Sequence, residues 1–203
     1  MIVKKEFSQL DRIRKILDDQ HGILDTSHLA KFNIPRTYLS DLENRGEIER
    51  ISRGSYLAAG SLADELFLFQ ARYQSSIFSH ETALFLHDLT DRSPLRISVT
   101  VPVGYHSISL NESGYKVFYM NRRLFDLGVV SMKTSHGNEV KTTNLERTIC
   151  DVLRSRHQID IQLVNEAMKR YVVKHERNID LLYHYAQQFR IQKIMRDVIE
   201  VLL

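Results

Sequence analysis

Several features that mark particular classes of protein are scarce in this sequence of 203 residues. Cys150 is its only cysteine, so the chain can form no internal disulfide and offers no thiolate cluster to zinc. Apolar residues surround Cys150 at helical spacing, which predicts a packing role. The sequence has no apolar run of about 18 residues, the length that a membrane span needs, and no signal peptide. We therefore expect a cytoplasmic protein without a membrane contact.

A strong excess of charge of one sign is also missing. The chain has 28 Lys and Arg against 25 Asp and Glu, and residues 1–60, 61–157 and 158–203 each carry a single excess positive charge. This balance is too small to create a broad phosphate-binding field. With 43% apolar residues, the composition is that of a folded globular protein. Any affinity for nucleic acid must come from local geometry.

The motifs of common enzymes are absent as well. The sequence contains no Gly-rich phosphate loop, no Ser-His-Asp signature and no cluster of His and Cys. His80-Glu81 resembles the start of a zinc-protease helix, but position 84 is Leu where that motif needs a second His. We therefore predict no catalytic residue, no cofactor and no metal, and a protein that is not an enzyme.

The N-terminal segment shows the pattern of three helices. Apolar spacing predicts a first helix over residues 8–20 and a short second helix from about residue 26 to residue 32. Asn33 tolerates a left-handed turn and Pro35 favours the first position of a new helix. The third helix is predicted over residues 35–45.

Residues 47–57 then form two short strand-like runs around an Arg-Gly-Ser turn, the pattern of a hairpin. This order of elements is that of a winged helix-turn-helix, in which the third helix enters the major groove of DNA and the hairpin, or wing, flanks it. We predict that this DNA-binding domain covers residues 1–60.

The outward side of the third helix and the wing supply the predicted DNA contacts. The candidate base-reading residues are Arg36, Thr37, Ser40 and Asn44. The candidate phosphate-binding residues are Arg45, Arg50, Arg53 and Ser55. Tyr38 either packs inward or reaches the DNA backbone. The acidic residues near this face, which oppose phosphate binding, are Glu43, Glu47 and Glu49.

Residues 61–203 are predicted to form a larger α+β domain. Period-two alternation between residues 95 and 143 predicts a small, mainly antiparallel sheet of about four or five strands. Helical spacing then returns over 145–153, 159–173 and 181–203. Strands followed by helices are typical of an α+β fold with a C-terminal helical layer.

Four segments in chain order resemble the AbiEi family of antitoxins from bacterial abortive-infection toxin–antitoxin systems, which act in phage defence. These segments are residues 50–56, 79–84, 97–102 and 145–153. The resemblance implies an N-terminal winged helix that represses its own operon and a C-terminal domain that contributes to antitoxicity and DNA binding. Ser79 and Arg147, within the matched segments, equally suit capping and structural roles.

The resemblance also implies partners. The DNA partner is double-stranded DNA with inverted repeats in the protein's own promoter, where the protein acts by autoregulation. The opponent is a nucleotidyltransferase-like toxin, which the antitoxin counteracts without a stable complex.

Two alternatives remain open at the level of sequence. Glu139-Val140-Lys141 has the spacing of a magnesium-dependent nuclease of restriction type, and Asp126 could supply its second carboxylate. The winged helix could instead serve as a protein-docking adaptor that never touches DNA.

Overall fold

A computed structural model describes residues 8–20, 22–52, 54–61, 64–106, 110 and 114–202. The chain divides into two compact units. The first unit comprises Met1–Gln74 with Ser135–Asn138, and the second comprises Ser75–Thr134 with Glu139–Leu203. After residue 60 the chain therefore continues through a further helix before it leaves the first unit.

The described part of the first unit contains four helices and a small antiparallel sheet. Its helices are α1 (Gln9–Asp19), α2 (Thr26–Lys31), α3 (Thr37–Asn44) and α4 (Glu65–Arg72). Its strands are β1 (Ile23–Asp25), β2 (Ile48–Ser52) and β3 (Ser55–Ala58), in the order β1-β3-β2. The predicted three helices and wing are present, and the sheet gains a third strand from the segment between α1 and α2.

Local sequence signals account for the ends of these helices. The Ser8 hydroxyl accepts a hydrogen bond from the Asp11 amide at 3.1 Å, and the Asp11 carboxylate accepts one from the Ser8 amide at 3.2 Å. This reciprocal pair is a capping box, which satisfies amides that a helix start leaves open. Asn33 adopts a left-handed φ of 53°, as expected for the turn before α3. α3 begins at Thr37, two residues later than predicted, because the chain first makes a tighter turn in which the Leu39 amide donates to the Arg36 carbonyl.

The core of the first unit lies between the helices and the small sheet. Ile13, Leu24, Leu29 and Leu42 have no exposed surface and belong to one apolar cluster. Tyr38 is half-buried against the same cluster. This packing holds α3 with its apolar side inward and leaves its polar side exposed.

The second unit is an α+β structure, as predicted. Its strands are β4 (Ile77–Phe78), β5 (Ser98–Pro102), β6 (Lys116–Met120), β7 (Val129–Lys133) and β8 (Glu139–Thr143). Its described helices are α5 (His80–Leu86), α6 (Arg122–Phe125), α7 (Leu145–Arg154), α8 (Ile161–Val173), α9 (Ile179–Gln188) and α10 (Gln192–Leu202).

The larger sheet is mixed. The described strands lie in the order β6-β5-β4-β8-β7. β4 runs antiparallel to β5, and β7 runs antiparallel to β8, whereas the β5–β6 and β4–β8 pairs are parallel. Residues 103–115, between β5 and β6, are long enough for the crossover that a parallel pair needs. β4 has only two residues, yet it lies at the centre of the sheet.

The core of the second unit lies among the helices α7 to α10. Cys150 is fully buried there, as predicted, and burial raises the pKa of its thiol. The predicted helical run 181–203 is divided into α9 and α10 at Arg190, which has a left-handed φ of 58°. Among the described residues, no helix combines the length and the apolar character that crossing a membrane requires.

A buried polar group links α5, α7 and the sheet. His80 is 2% exposed, its Nδ1 lies 2.9 Å from Ser79 Oγ, and its Nε2 lies 3.1 Å from Ser155 Oγ. The ring stacks on Phe118 with the centroids 3.4 Å apart. Burial, reinforced by the positive charge of Lys116, lowers the pKa of His80 well below its ordinary value. His80 is therefore neutral in the folded protein at neutral pH.

We expect the second unit to lose stability as the pH falls below about 6.5, the ordinary pKa of histidine. Below this pH the unfolded chain binds a proton that the buried His80 ring does not, so the loss is about 1.4 kcal/mol per pH unit until the folded-state pKa is reached. Urea unfolding at several pH values measures the effect. His80→Asn should flatten the slope, and an unchanged slope in this variant would contradict the assignment. His87, whose pKa burial also lowers, supplies a residual slope of the same sign.

Candidate nucleic-acid interface

The wing and α3 border a concave surface of about 550 Å³ in the first unit. We call it the α3–wing cleft. It is lined by Thr26, Arg36, Leu39, Ser40, Arg50, Gly54 and Tyr56. The fold thus brings together three residues that the sequence predicted as DNA contacts, Arg36, Ser40 and Arg50. Arg36 precedes α3 and Arg50 lies on β2, so two positive charges from different elements face one surface.

The turn of the wing is held against the start of α2. The Gly54 carbonyl accepts a hydrogen bond of 2.7 Å from the Thr26 amide. Gly54 has a left-handed φ of +89°, and a Cβ at this position would lie 2.8 Å from Thr26 Oγ1. Glycine is required here on both counts, because other residues disfavour this conformation and would collide with Thr26. This contact fixes the turn of the wing against the start of α2.

The register of the wing separates its charges. Arg50 lies opposite Tyr56, and Ile48 lies opposite Ala58, so these residues share one face of the hairpin, on which Ile48 and Tyr56 are buried and Arg50 is exposed. Glu49 lies opposite Leu57, one residue out of phase. Successive side chains of a strand point to opposite faces, so Glu49 is directed away from the cleft that Arg50 lines.

The exposed side of α3 presents short polar side chains. Thr37, Ser40 and Asn44 are exposed and lie three and four residues apart, which places them on one side of the helix. The opposite side is buried through Leu39 and Leu42, which are 3% and 0% exposed. The exposed side is therefore available for hydrogen bonding to base edges.

The other predicted contact residues occupy different environments. Arg45 forms a two-pronged ion pair with Asp41 on its own helix, with N–O distances of 2.8 and 3.1 Å. Ser55 is 4% exposed, so its side chain lies in the interior and we leave it out of the interface proposed below. Tyr38 packs against the core. Arg53 lies outside the described residues.

The acidic residues near α3 are partly neutralised. Arg14 of α1 forms two hydrogen bonds of 3.0 Å with the Glu47 carboxylate, and they lower the pKa of Glu47. The sequence did not reveal this pair, because its members are 33 positions apart. Glu43 remains exposed, but it lies seven residues after Arg36, or about 10 Å along a helix. The repulsion expected from Glu47 and Glu49 is therefore reduced at the cleft itself.

The residues of the nuclease alternative lie in the second unit. Glu139 and Lys141 are on an exposed side of β8, and Glu139 accepts a hydrogen bond of 3.1 Å from Ser131. Asp126 is exposed at the end of α6. The described residues contain no group of three His, Cys, Asp or Glu side chains that could hold a metal ion.

Comparison with known families identifies the segment that forms the cleft. Residues 11–59 match the family described as "Transcriptional regulator, AbiEi antitoxin". The resemblance to the AbiEi family is confirmed over these residues. This AbiEi segment extends from α1 to the end of β3, so it includes α3 and the whole wing. The antitoxin and regulator role is that of the matched family, and the match is limited to these residues.

Two further comparisons concern the chain as a whole. No curated protein matches the sequence. The crystal structure of the RV2827C protein from Mycobacterium tuberculosis is similar in fold, with a TM-score of 0.58 and 12% sequence identity. The match covers 88% of this chain and 71% of that one. The similarity thus extends well beyond the AbiEi segment, and at this identity it concerns the fold alone.

Proposed function

We propose that the protein is a non-enzymatic repressor and antitoxin that binds operator DNA of its own toxin–antitoxin operon. The single observation that carries the proposal is the α3–wing cleft, where Arg36 and Arg50 lie beside the exposed polar side of α3. The AbiEi match supports it, because the matched residues 11–59 contain all of this surface. The protein acts in the cytoplasm, where that DNA lies.

The proposed complex uses the cleft in two ways. The exposed side of α3 enters the major groove, where Thr37, Ser40 and Asn44 bond to base edges. Arg50 and Arg36 bind the phosphates beside the groove, and their charges set the salt dependence of binding. Arg36, a base-reading candidate from the sequence, is assigned to phosphate because it precedes α3 and lines the same cleft as Arg50. One copy of α3 and its wing covers only a few base pairs, so specific binding requires two copies on an inverted repeat.

A gel shift with the chain's own upstream region tests the proposal. Arg50→Ala should weaken binding about tenfold or more, since it removes a charged hydrogen bond to phosphate. It should also lower the slope of log affinity against log salt by about 1. Arg36→Ala should behave in the same way, and Arg53→Ala tests the remaining predicted arginine of the wing. Glu49→Gln is the matched control on the other face of β2 and should change the affinity by less than about twofold.

Base reading and phosphate binding are separated by a further variant. Asn44→Ala should reduce the preference for the operator over unrelated DNA and leave the salt slope unchanged. A wild-type protein that shows no salt-sensitive binding to its upstream region would exclude the repressor and favour the docking adaptor.

The proposed opponent is a nucleotidyltransferase-like toxin encoded beside the antitoxin. The AbiEi match supports this assignment by family alone. Co-expression should relieve the toxicity of the neighbouring gene product, while the two proteins should elute separately in size-exclusion chromatography. Persistent toxicity, or a stable complex, would contradict the corresponding part of the proposal.

A further inference from the structure

A second concave surface lies in the second unit, and none of its lining residues is one that the proposed DNA contacts use. Its volume is about 680 Å³, within the range of small-molecule sites. It is lined by Met120, Asn121, Arg123, Leu124, Arg154, Gln187, Gln188, Phe189 and Arg190. We call it the arginine cavity. Three of its lining side chains are guanidinium groups, and none of the described residues that line it carries a carboxylate.

The arginines come from three separate elements. Arg123 lies on α6, Arg154 is the last residue of α7, and Arg190 follows α9. All three are exposed and line one concavity, so three positive charges border the same space. Structural arginines usually have a carboxylate nearby, as Arg147 has in Asp151. The arginine cavity has the charge of an anion site.

Neighbouring groups position two of these arginines. Arg123 donates a hydrogen bond of 3.5 Å to the Gln188 side chain. The Arg154 guanidinium lies 5.7 Å from the centre of the Phe189 ring, and its Nη1 lies 3.4 Å from Met120 Sδ. These contacts orient the side chains without neutralising their charge.

The backbone at Arg190 is a second and independent observation. Its φ of 58° is the left-handed conformation that ends a helix, and the Ile191 amide donates to the Ala186 carbonyl at 2.9 Å in the Schellman pattern. Glycine is the usual residue at this position because it has no Cβ. An exposed arginine is strained here and gains no buried contact in return. Residues held in disfavoured backbone conformations cluster at functional sites, where the surrounding structure maintains them.

We propose that the arginine cavity binds a nucleoside polyphosphate. Three guanidinium groups match the several negative charges of a di- or triphosphate, with the paired N–H geometry that suits phosphate oxygens. The cavity exceeds the size of the phosphates, and its other lining, including Met120, Leu124 and Gln187, offers both apolar surface and amide groups to a nucleoside. This inference does not rest on the proposed DNA binding.

Isothermal titration of the full chain with ATP, CTP and tripolyphosphate tests the inference, with adenosine as the uncharged comparison. The wild type should bind the three phosphorylated probes and not adenosine. Arg190→Gly should weaken binding at least tenfold while its melting temperature stays equal or rises, because glycine removes the strain. Arg123→Gln should weaken binding to a similar extent. Arg196→Gln, an exposed arginine of α10 that does not line the cavity, should bind as the wild type does.

Three results would overturn the inference. The first is no heat of binding with any phosphorylated probe at millimolar concentration. The second is an Arg190→Gly variant that binds within twofold of the wild type. The third is binding of tripolyphosphate alone, which would exclude the nucleoside. Operator binding measured on the same variants separates this site from the α3–wing cleft. If the arginine variants lose DNA affinity and the wild type does not bind the nucleotides, the arginines are assigned to nucleic-acid phosphates instead.

Discussion

Replacing Arg147 by methionine should destabilise the second unit by about 3–5 kcal/mol, the usual effect of breaking a buried ion pair. The Arg147 side chain has no exposed surface, and its Nε donates to Asp151 at 2.8 Å. Its Nη1 donates to the carbonyls of Leu124, at 2.9 Å, and Leu127. Methionine fills a similar volume but leaves a buried carboxylate and two carbonyls without these donors.

The same arginine joins α7 to the chain that follows α6. The Leu124 carbonyl, which also accepts from the Leu127 amide at 3.3 Å, lies in that short helix, and the Leu127 carbonyl lies just after its end. Gly128 comes next, and a Cβ there would lie 3.0 Å from the Arg147 Cβ. Phe189 covers the guanidinium from α9 at 4.9 Å. Arg147 thus stabilises the contacts among α6, α7 and α9.

Urea unfolding of the variant measures the loss, read as a shift of the midpoint at constant slope. Arg147→Met combined with Asp151→Leu should recover about 1–3 kcal/mol, because the double change removes the buried unpaired charge but does not restore the Arg147 hydrogen bonds to the Leu124 and Leu127 carbonyls. Arg154→Met is the matched control on the same helix, and this exposed arginine should affect stability by less than about 1 kcal/mol. A loss below 1 kcal/mol in Arg147→Met would show that the pair is not structural.

Leu42→Ala is the second change with a large expected effect. Leu42 is fully buried and holds α3 on the core of the first unit. Its truncation leaves a cavity in the core, which lowers the free energy of unfolding by about 2–5 kcal/mol. The free energy of unfolding of a unit of this size is comparable to this loss, so the first unit should be unfolded in a large fraction of the molecules. Operator binding should fall with it, although Leu42 faces away from the DNA.

Hydrogen exchange of the α3 amides and a gel shift measure the two parts of this prediction. Exchange should accelerate in α3 and its packing partners and stay unchanged in α7 and α9 of the second unit. Asn44→Ala is the control on the exposed side of α3, where exchange should stay close to that of the wild type. Full operator affinity in a Leu42→Ala protein with accelerated exchange would show that the ordered α3 is not required for binding.

The order of elements in the first unit could be predicted because each of its signals is local. Ser8 and Asp11 form their capping box three residues apart, and Asn33 and Gly54 occupy positive-φ turns that suit their residue types. The helical spacing of the apolar residues then predicted which side of α3 is buried. Such signals depend only on residues a few positions apart in the chain, so they can be recognised before the fold is known.

The candidate interface was predictable in part. Arg36, Ser40 and Arg50 were expected at the DNA-facing surface, and the structure brings them to one cleft. The burial of Ser55 was not foreseen, because strand alternation next to a bulged turn does not tell which face becomes the inside. The neutralisation of Glu47 by Arg14 was hidden for a related reason, since it joins residues far apart in sequence.

The sequence by itself determined the α+β class, the winged helix and the cysteine in the core, because hydrophobic periodicity and turn residues report on these directly. Only the tertiary structure decided the central place of β4, whose two residues carry no periodic signal. It also decided the break at Arg190, where neither glycine nor proline marks the helix end. In both places long-range packing overrides local preference, and at Arg190 it places that residue in the lining of the arginine cavity with two arginines that are far from it in sequence.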